Sequence, residues 1–138
     1  MMKNLFQILC GLFLVVSYSS CMHSEEDKVD VLIIGGGASG VTSGIQSARM
    51  GANTLILEES TWLGGMLTSA GVSAVDGNYR LPAGLWGEFK NRLSDYYGGL
   101  DSLKTGWVSN VLFEPSVGNK ILHEMVAAEN NLKVWKQA

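Results

Sequence analysis

The spacing of apolar positions changes several times along the chain, and each change marks an element. Val29 to Ile34 is a continuous apolar run interrupted only by Asp30 and stopped at Gly35, the pattern of a strand buried in a parallel sheet. Val41, Ile45 and Ala48 then recur at helical spacing beside a stripe of small residues, Gly40, Gly44 and Ser47. That combination predicts a helix able to lie close on the sheet. Gly51 supplies a stop, and Thr54 to Leu57 forms a second short apolar strand ending in Glu58. Residues 29–58 thus predict a βαβ unit of about 30 residues, with a right-handed crossover. Further on, a helix from Pro82 to Tyr97 places Leu85, Trp86, Phe89 and Leu93 on one face and ends at Gly98-Gly99. Another begins near Pro115, carries Val117, Ile121, Leu122, Met125 and Val126, and ends at Asn130-Asn131. Leu132 to Lys136 reads as a strand that extends the parallel sheet, leaving residues 59–80 and 98–110 as loops on the ligand side.

The first residues follow a different logic. Lys3, the apolar stretch Leu5 to Val16 and then Ser17, Tyr18, Ser19, Ser20 and Cys21 give a basic start, a short hydrophobic core and a small-residue exit, the order required for export. Twelve residues fall short of the roughly 20 that span a bilayer; the competing reading is a buried core helix. The approach to Cys21, followed by the polar Ser24 to Lys28, resembles the lipobox and tether of bacterial lipoproteins, although Tyr18 stands where that motif usually carries an aliphatic residue. The expected organisation is a signal peptide over 1–20, a lipidated cysteine and tether over 21–28, and a folded domain over 29–138. The membrane contact would then be a lipid anchor at Cys21, and the location periplasmic or cell-surface.

Composition narrows the classes. With 46% hydrophobic and 17% charged residues among 138, against roughly 25% charged in an ordinary domain, disorder is excluded. Ten basic and thirteen acidic residues leave a net charge of −3 with no run of like charges, so no nucleic-acid partner is expected. Cys10 belongs to the leader and Cys21 then stands alone, which excludes a disulfide or a redox-active cysteine pair.

Glycine is the informative excess, 17 residues where ~7% is usual. Gly35, Gly36, Gly37, Ala38, Ser39 and Gly40 fit G-x-G-x-x-G between the first strand and helix. Gly35 permits the tight turn, Gly37 lets main chain approach a pyrophosphate, and Gly40 allows the helix to pack on the strand. The helix N-terminus then offers unpaired N–H groups and a positive dipole end to the phosphates. Glu58, eighteen residues after Gly40 at the tip of the second strand, can accept hydrogen bonds from ribose hydroxyls and would repel a 2′-phosphate. A Gly-rich tight loop is the alternative for the turn alone; the flanking strand, helix and acid favour dinucleotide binding. A nucleotide-hydrolysing P-loop is excluded, because Val41 and Thr42 follow Gly40 where a Lys is needed.

Val29 to Gly71, with its glycine turn, Glu58 and the pair Gly64-Gly65, resembles the N-terminal segment of FAD-dependent oxidoreductases of the glutathione-reductase-like superfamily. The run Trp62 to Ser69, Gly71 to Gly77 and Gly84-Leu85-Trp86-Gly87-Glu88-Phe89 is similar to a branch often exported by bacteria. The resemblance implies an α/β fold, a Rossmann-like parallel sheet with a βαβ dinucleotide-binding unit, forming the N-terminal part of an incomplete FAD-binding domain. It implies FAD, with cofactor contacts at Gly35, Gly37, Ala38, Ser39, Gly40, Glu58, Gly64, Gly65 and Met66. A surface turn is the competing reading of Gly64-Gly65.

No catalytic residue stands out, because a flavin carries the electron chemistry itself. His123 reads as a helix-surface or packed residue, and His123-Glu124 lacks the second histidine of a zinc helix, so no metal is expected. Asp76, Glu88 and Asp95 read as solvated surface. The disulfide-reductase branch of the superfamily is excluded by the missing cysteine pair. The expected function is an FAD-dependent oxidoreductase represented by its N-terminal portion, which by itself would be inactive, acting on an unknown small molecule, with export associating it with carbohydrate-derived substrates. Two alternatives stay open: an exported nucleotide-binding module without redox turnover, and an NAD-dependent dehydrogenase fragment.

Overall fold

In the computed structural model, residues 28–138 are described except for 78, 105 and 108. The expected leader, Cys10, Cys21, His23 and nearly all of the tether lie outside the described residues.

Strand β1 (Val31–Ile34), helix α1 (Ala38–Arg49) and strand β2 (Thr54–Glu58) form the anticipated βαβ unit. A short ribbon strand β3 (Ala74–Val75), helix α2 (Gly84–Tyr97), strand β4 (Val111–Leu112), helix α3 (Pro115–Ala127) and strand β5 (Leu132–Lys136) complete the order. The main sheet is parallel, in the order β1-β2-β5. Ile33, Ile56 and Val134 lie in register across it. A right-handed helix feeding twisted parallel strands accounts for α1 lying across this face.

Close approach of α1 depends on its small stripe. A Cβ at Gly44 would sit 2.6 Å from Ile56 Cδ1, so a side chain there would force Ile56 or the helix itself to shift. On the same helix Val41, Ile45 and Ala48 are buried. They join Ile56, Leu63, Leu93 and the apolar face of α3, Val117, Ile121, Leu122, Met125 and Val126, in one core, where burying each large aliphatic side chain stabilises the fold by roughly 1.5–3 kcal/mol. Phe89 of α2 meets Phe113 edge to face, 5.4 Å between ring centroids, and so joins α2 to the segment entering α3.

Three features depart from expectation. The β1 run reads as covered on both faces, yet Leu32 is 53% and Ile34 76% exposed. The helices pack on the Ile33 face, and among the described residues no helix covers the other. The stretches expected as plain loops contain a two-stranded antiparallel ribbon, β3 with β4, and 3₁₀ turns at Gly65–Leu67 and Leu100–Leu103. Ser109 holds the ribbon through its hydroxyl, which donates to the Val75 carbonyl at 2.7 Å. Finally, Asn131 does more than end a helix: its Nδ2 donates to the carbonyls of Ala48 and Ala52 at 2.9 and 2.8 Å, fastening the start of β5 to the end of α1.

Among the described residues, no helix is long and apolar enough to cross a membrane.

Candidate functional site

The carboxyl ends of β1 and β2 meet the amino end of α1, which is where an open parallel sheet receives a ligand. The chain leaves β1 through Gly35, whose φ of +97° lies in the left-handed region that favours glycine. Its amide donates to the Leu57 carbonyl at 2.8 Å. Gly40 closes the turn from inside: a Cβ there would lie 1.9 Å from the Gly35 carbonyl oxygen. Gly37 differs, because a Cβ built on it meets nothing within 4 Å. Gly37 is also the N-cap of α1, and no side chain caps the helix. The first amides of α1 therefore keep their donors for something outside the chain. Gly35 and Gly40 thus serve the turn and the close packing that the spacing implies, and Gly37 borders open space.

Gly36, given no role in the motif, is buried and closely packed on two sides. Its amide donates to Glu58 Oε2 at 2.5 Å, and a Cβ on it would strike Leu63 Cδ2 at 2.8 Å. The other Glu58 oxygen accepts from the Ser60 amide at 2.9 Å. Burial pushes the Glu58 carboxyl upward, but hydrogen bonds from Ser60 and the Gly36 amide outweigh it and hold it below its ordinary value. Glu58 is accordingly ionised and ties the tip of β2 to the glycine turn. Each carboxylate oxygen has a second lone pair for a further donor.

Gly64 and Gly65 run directly alongside. Gly64 pairs with Gly37 in a parallel bridge, its amide donates to the Gly36 carbonyl at 2.8 Å, and a Cβ on Gly65 would approach Gly37 Cα to 3.1 Å. The surface-turn reading of this pair is therefore wrong, since Gly64 is buried against Leu122 and Thr68. Two side chains that the sequence reading passed over hold this second strand of glycines in place. Asn119 of α3 accepts from the Leu63 amide at 2.8 Å, and buried Thr68 donates to the Leu63 carbonyl at 2.5 Å. Neither belongs to a recognisable local motif, and no spacing in the sequence signals either of them.

The structure thus brings Gly35, Gly37, Gly40, Glu58, Gly64 and Gly65 into one corner. Ala38 is half-buried and Ser39 exposed on the first turn of α1, and Met66 is 69% exposed on the 3₁₀ turn after the glycine pair.

The other titratable groups have structural partners or face solvent. His123 is half-buried on α3; burial and nearby Lys136 push its pKa down, partly offset by a hydrogen bond with the Thr61 backbone. Asp76 and Asp95 are exposed as expected. Glu88 is not simply solvated, because it pairs with Arg49 at 2.9 Å and Arg92 at 3.2 Å, while Arg49 also reaches Glu129 at 2.7 Å.

A glycine corner of this shape, with uncapped helix amides and open space at Gly37, fits the diphosphate of a dinucleotide. Comparison with known proteins specifies which one. Residues 30–138 match the family model described as FAD dependent oxidoreductase. Among solved structures, GidA from Aquifex aeolicus aligns with a TM-score of 0.51 and 21% identity, over 83% of this chain and 20% of that one. THI4 from Thermovibrio ammonificans aligns with a TM-score of 0.46 and 18% identity, over 94% of this chain and 45% of that one. The chain therefore spans less than half the length of either. A comparison with curated proteins returns no match. The likeness to GidA extends to the fold, a Rossmann-like α/β arrangement, and the family match covers nearly all of the described chain. With its cofactor FAD in place of the NAD alternative, the chain belongs to the FAD-dependent oxidoreductase family.

Proposed function

We propose that this chain holds the adenosine-diphosphate half of FAD, with the pyrophosphate against Gly35, Gly37 and the amides of Ala38, Ser39 and Gly40. Glu58 accepts hydrogen bonds from the adenosine ribose, and Gly64, Gly65 and Met66 pass beside the extended cofactor. The observation that carries this reading is the empty space at Gly37 in front of uncapped helix amides. Within the chain nothing requires glycine at that position, whose φ of −63° suits any residue; a ligand does. Main-chain N–H groups and the helix dipole supply the positive potential without a lysine.

Bound flavin supplies the electron transfer. The chain's own residues orient it: the glycine corner fixes the diphosphate, and Glu58 fixes the turn as well as the ribose. Oxidoreductase activity, on an extracytoplasmic small molecule of carbohydrate-derived class, belongs in this reading to the whole protein. Export through the leader and lipidation at Cys21 complete it.

Calorimetric titration with FAD, ADP and FMN tests the assignment. FAD and ADP should bind, with FMN at least about tenfold weaker, since FMN lacks the diphosphate and the adenosine. Equal affinity for FMN would sink it. Fractionation of cells expressing the chain and a Cys21→Ala variant tests lipidation, which predicts membrane association lost in the variant.

A further inference from the structure

Away from the glycine corner, a hollow of about 390 Å³ opens between the middle of α2 at Lys90, the 3₁₀ turn at Leu100–Leu103 and strand β4. Its lining has two characters. Leu100, Leu103 and Val111 are apolar, Arg80, Lys90 and Lys104 are basic, and Tyr79 and Asn110 complete the lining. No carboxylate lines it among the described residues.

Lys90 is the unusual member, because it is only 7% exposed and buried lysines are rare without a paired charge. Its Nζ donates to the carbonyls of Tyr79 and Leu81, each at 2.8 Å, and lies 5.9 Å from the Trp86 ring. An ammonium has three donors, so the two carbonyls leave one donor free, and the carbonyl dipoles and the Trp86 ring face its charge without an ion pair. Arg80 spends one N–H on the Tyr79 hydroxyl at 3.0 Å, leaving the paired face of its guanidinium. Among the described residues neither cation makes an ion pair. Lys104 does, with Asp101 at 2.8 Å, but that carboxylate is 95% exposed and well screened by water. Three cations line one hollow, one of them, Lys90, buried and the other two exposed, and like charges so placed repel each other. An anion that enters relieves it.

We propose that this hollow is a binding site for a small organic acid, its carboxylate received by Arg80, Lys90 and Lys104 and its apolar body by Leu100, Leu103 and Val111. The volume lies in the range of small-molecule sites, and a guanidinium receives a carboxylate with two parallel hydrogen bonds. The site is independent of the flavin corner, which uses main chain and no side-chain cation.

Titration calorimetry on the full chain at low salt, with benzoate, its neutral analogue benzamide and inorganic phosphate, tests the proposal. Benzoate should bind at least about tenfold more tightly than either benzamide or phosphate. Arg80→Gln and Lys104→Gln, both at exposed positions, should each weaken benzoate about fivefold or more while leaving the melting temperature unchanged. Gly37→Leu should leave benzoate binding intact. Equal affinity for benzamide would overturn the charged half of the site, and equal affinity for phosphate its apolar half. Unaltered benzoate affinity in both charge variants, or its loss in Gly37→Leu, would overturn the assignment altogether.

Discussion

Two regions of this chain are proposed to receive negative charge, and by opposite means. The glycine corner between β1 and α1 offers main-chain amides and empty space; its one charged side chain, Glu58, is an acid turned inward to the Gly36 amide. The hollow beside α2 offers side-chain cations, Arg80, Lys90 and Lys104. Main chain is fixed by the fold and gives up little entropy on binding, whereas long side chains must be ordered first. Side-chain cations, in turn, are sensitive to salt and can be removed singly. A diphosphate that must be held in one orientation suits the first arrangement, and a smaller acid that must enter and leave suits the second.

The sharpest way to break that contrast is to fill the space at Gly37. Gly37→Leu should lower FAD affinity by at least about 100-fold, and circular dichroism and melting should match the parent, because a Cβ at Gly37 meets no non-neighbouring atom within 4 Å. Gly40→Ala should behave differently: its Cβ meets the Gly35 carbonyl oxygen at 1.9 Å, so denaturant unfolding should show a loss of about 3 kcal/mol together with weaker FAD binding. Glu58→Gln should be milder, about tenfold in FAD affinity. It also carries a pH signature. The Glu58 pKa is held below the ordinary 4.5, so its contribution to stability is present in full above that value and fades as pH falls through the lower folded value. The difference in melting temperature between parent and Glu58→Gln should therefore shrink on acidification below pH 4.5. Smallest of all, Arg49→Ala removes partly exposed ion pairs to Glu88 and Glu129 and should cost about 1 kcal/mol or less, with FAD binding untouched.

The contrast also separates what could be read from the sequence from what could not. The corner was legible because its devices are local: a strand, a G-x-G-x-x-G turn and a helix occupy contiguous residues, and period and spacing report on contiguous residues. Even Glu58, twenty-two positions from its Gly36 partner, sits at a fixed βαβ offset. Asn119 and Thr68 act on Leu63 from 56 and 5 residues away with no such offset. The basic hollow draws Arg80, Lys90 and Lys104 from three separate segments, and at α2 spacing Lys90 reads as one more surface charge. The exposed face of β1 was missed for a related reason, since an apolar run records what a strand can bury and not what lies opposite it.

The most direct test of the central claim is an FAD titration of the parent chain and its Gly37→Leu variant, followed by calorimetry. The account predicts saturable binding by the parent and none by a variant that melts at the same temperature. Binding of equal strength by both would contradict it.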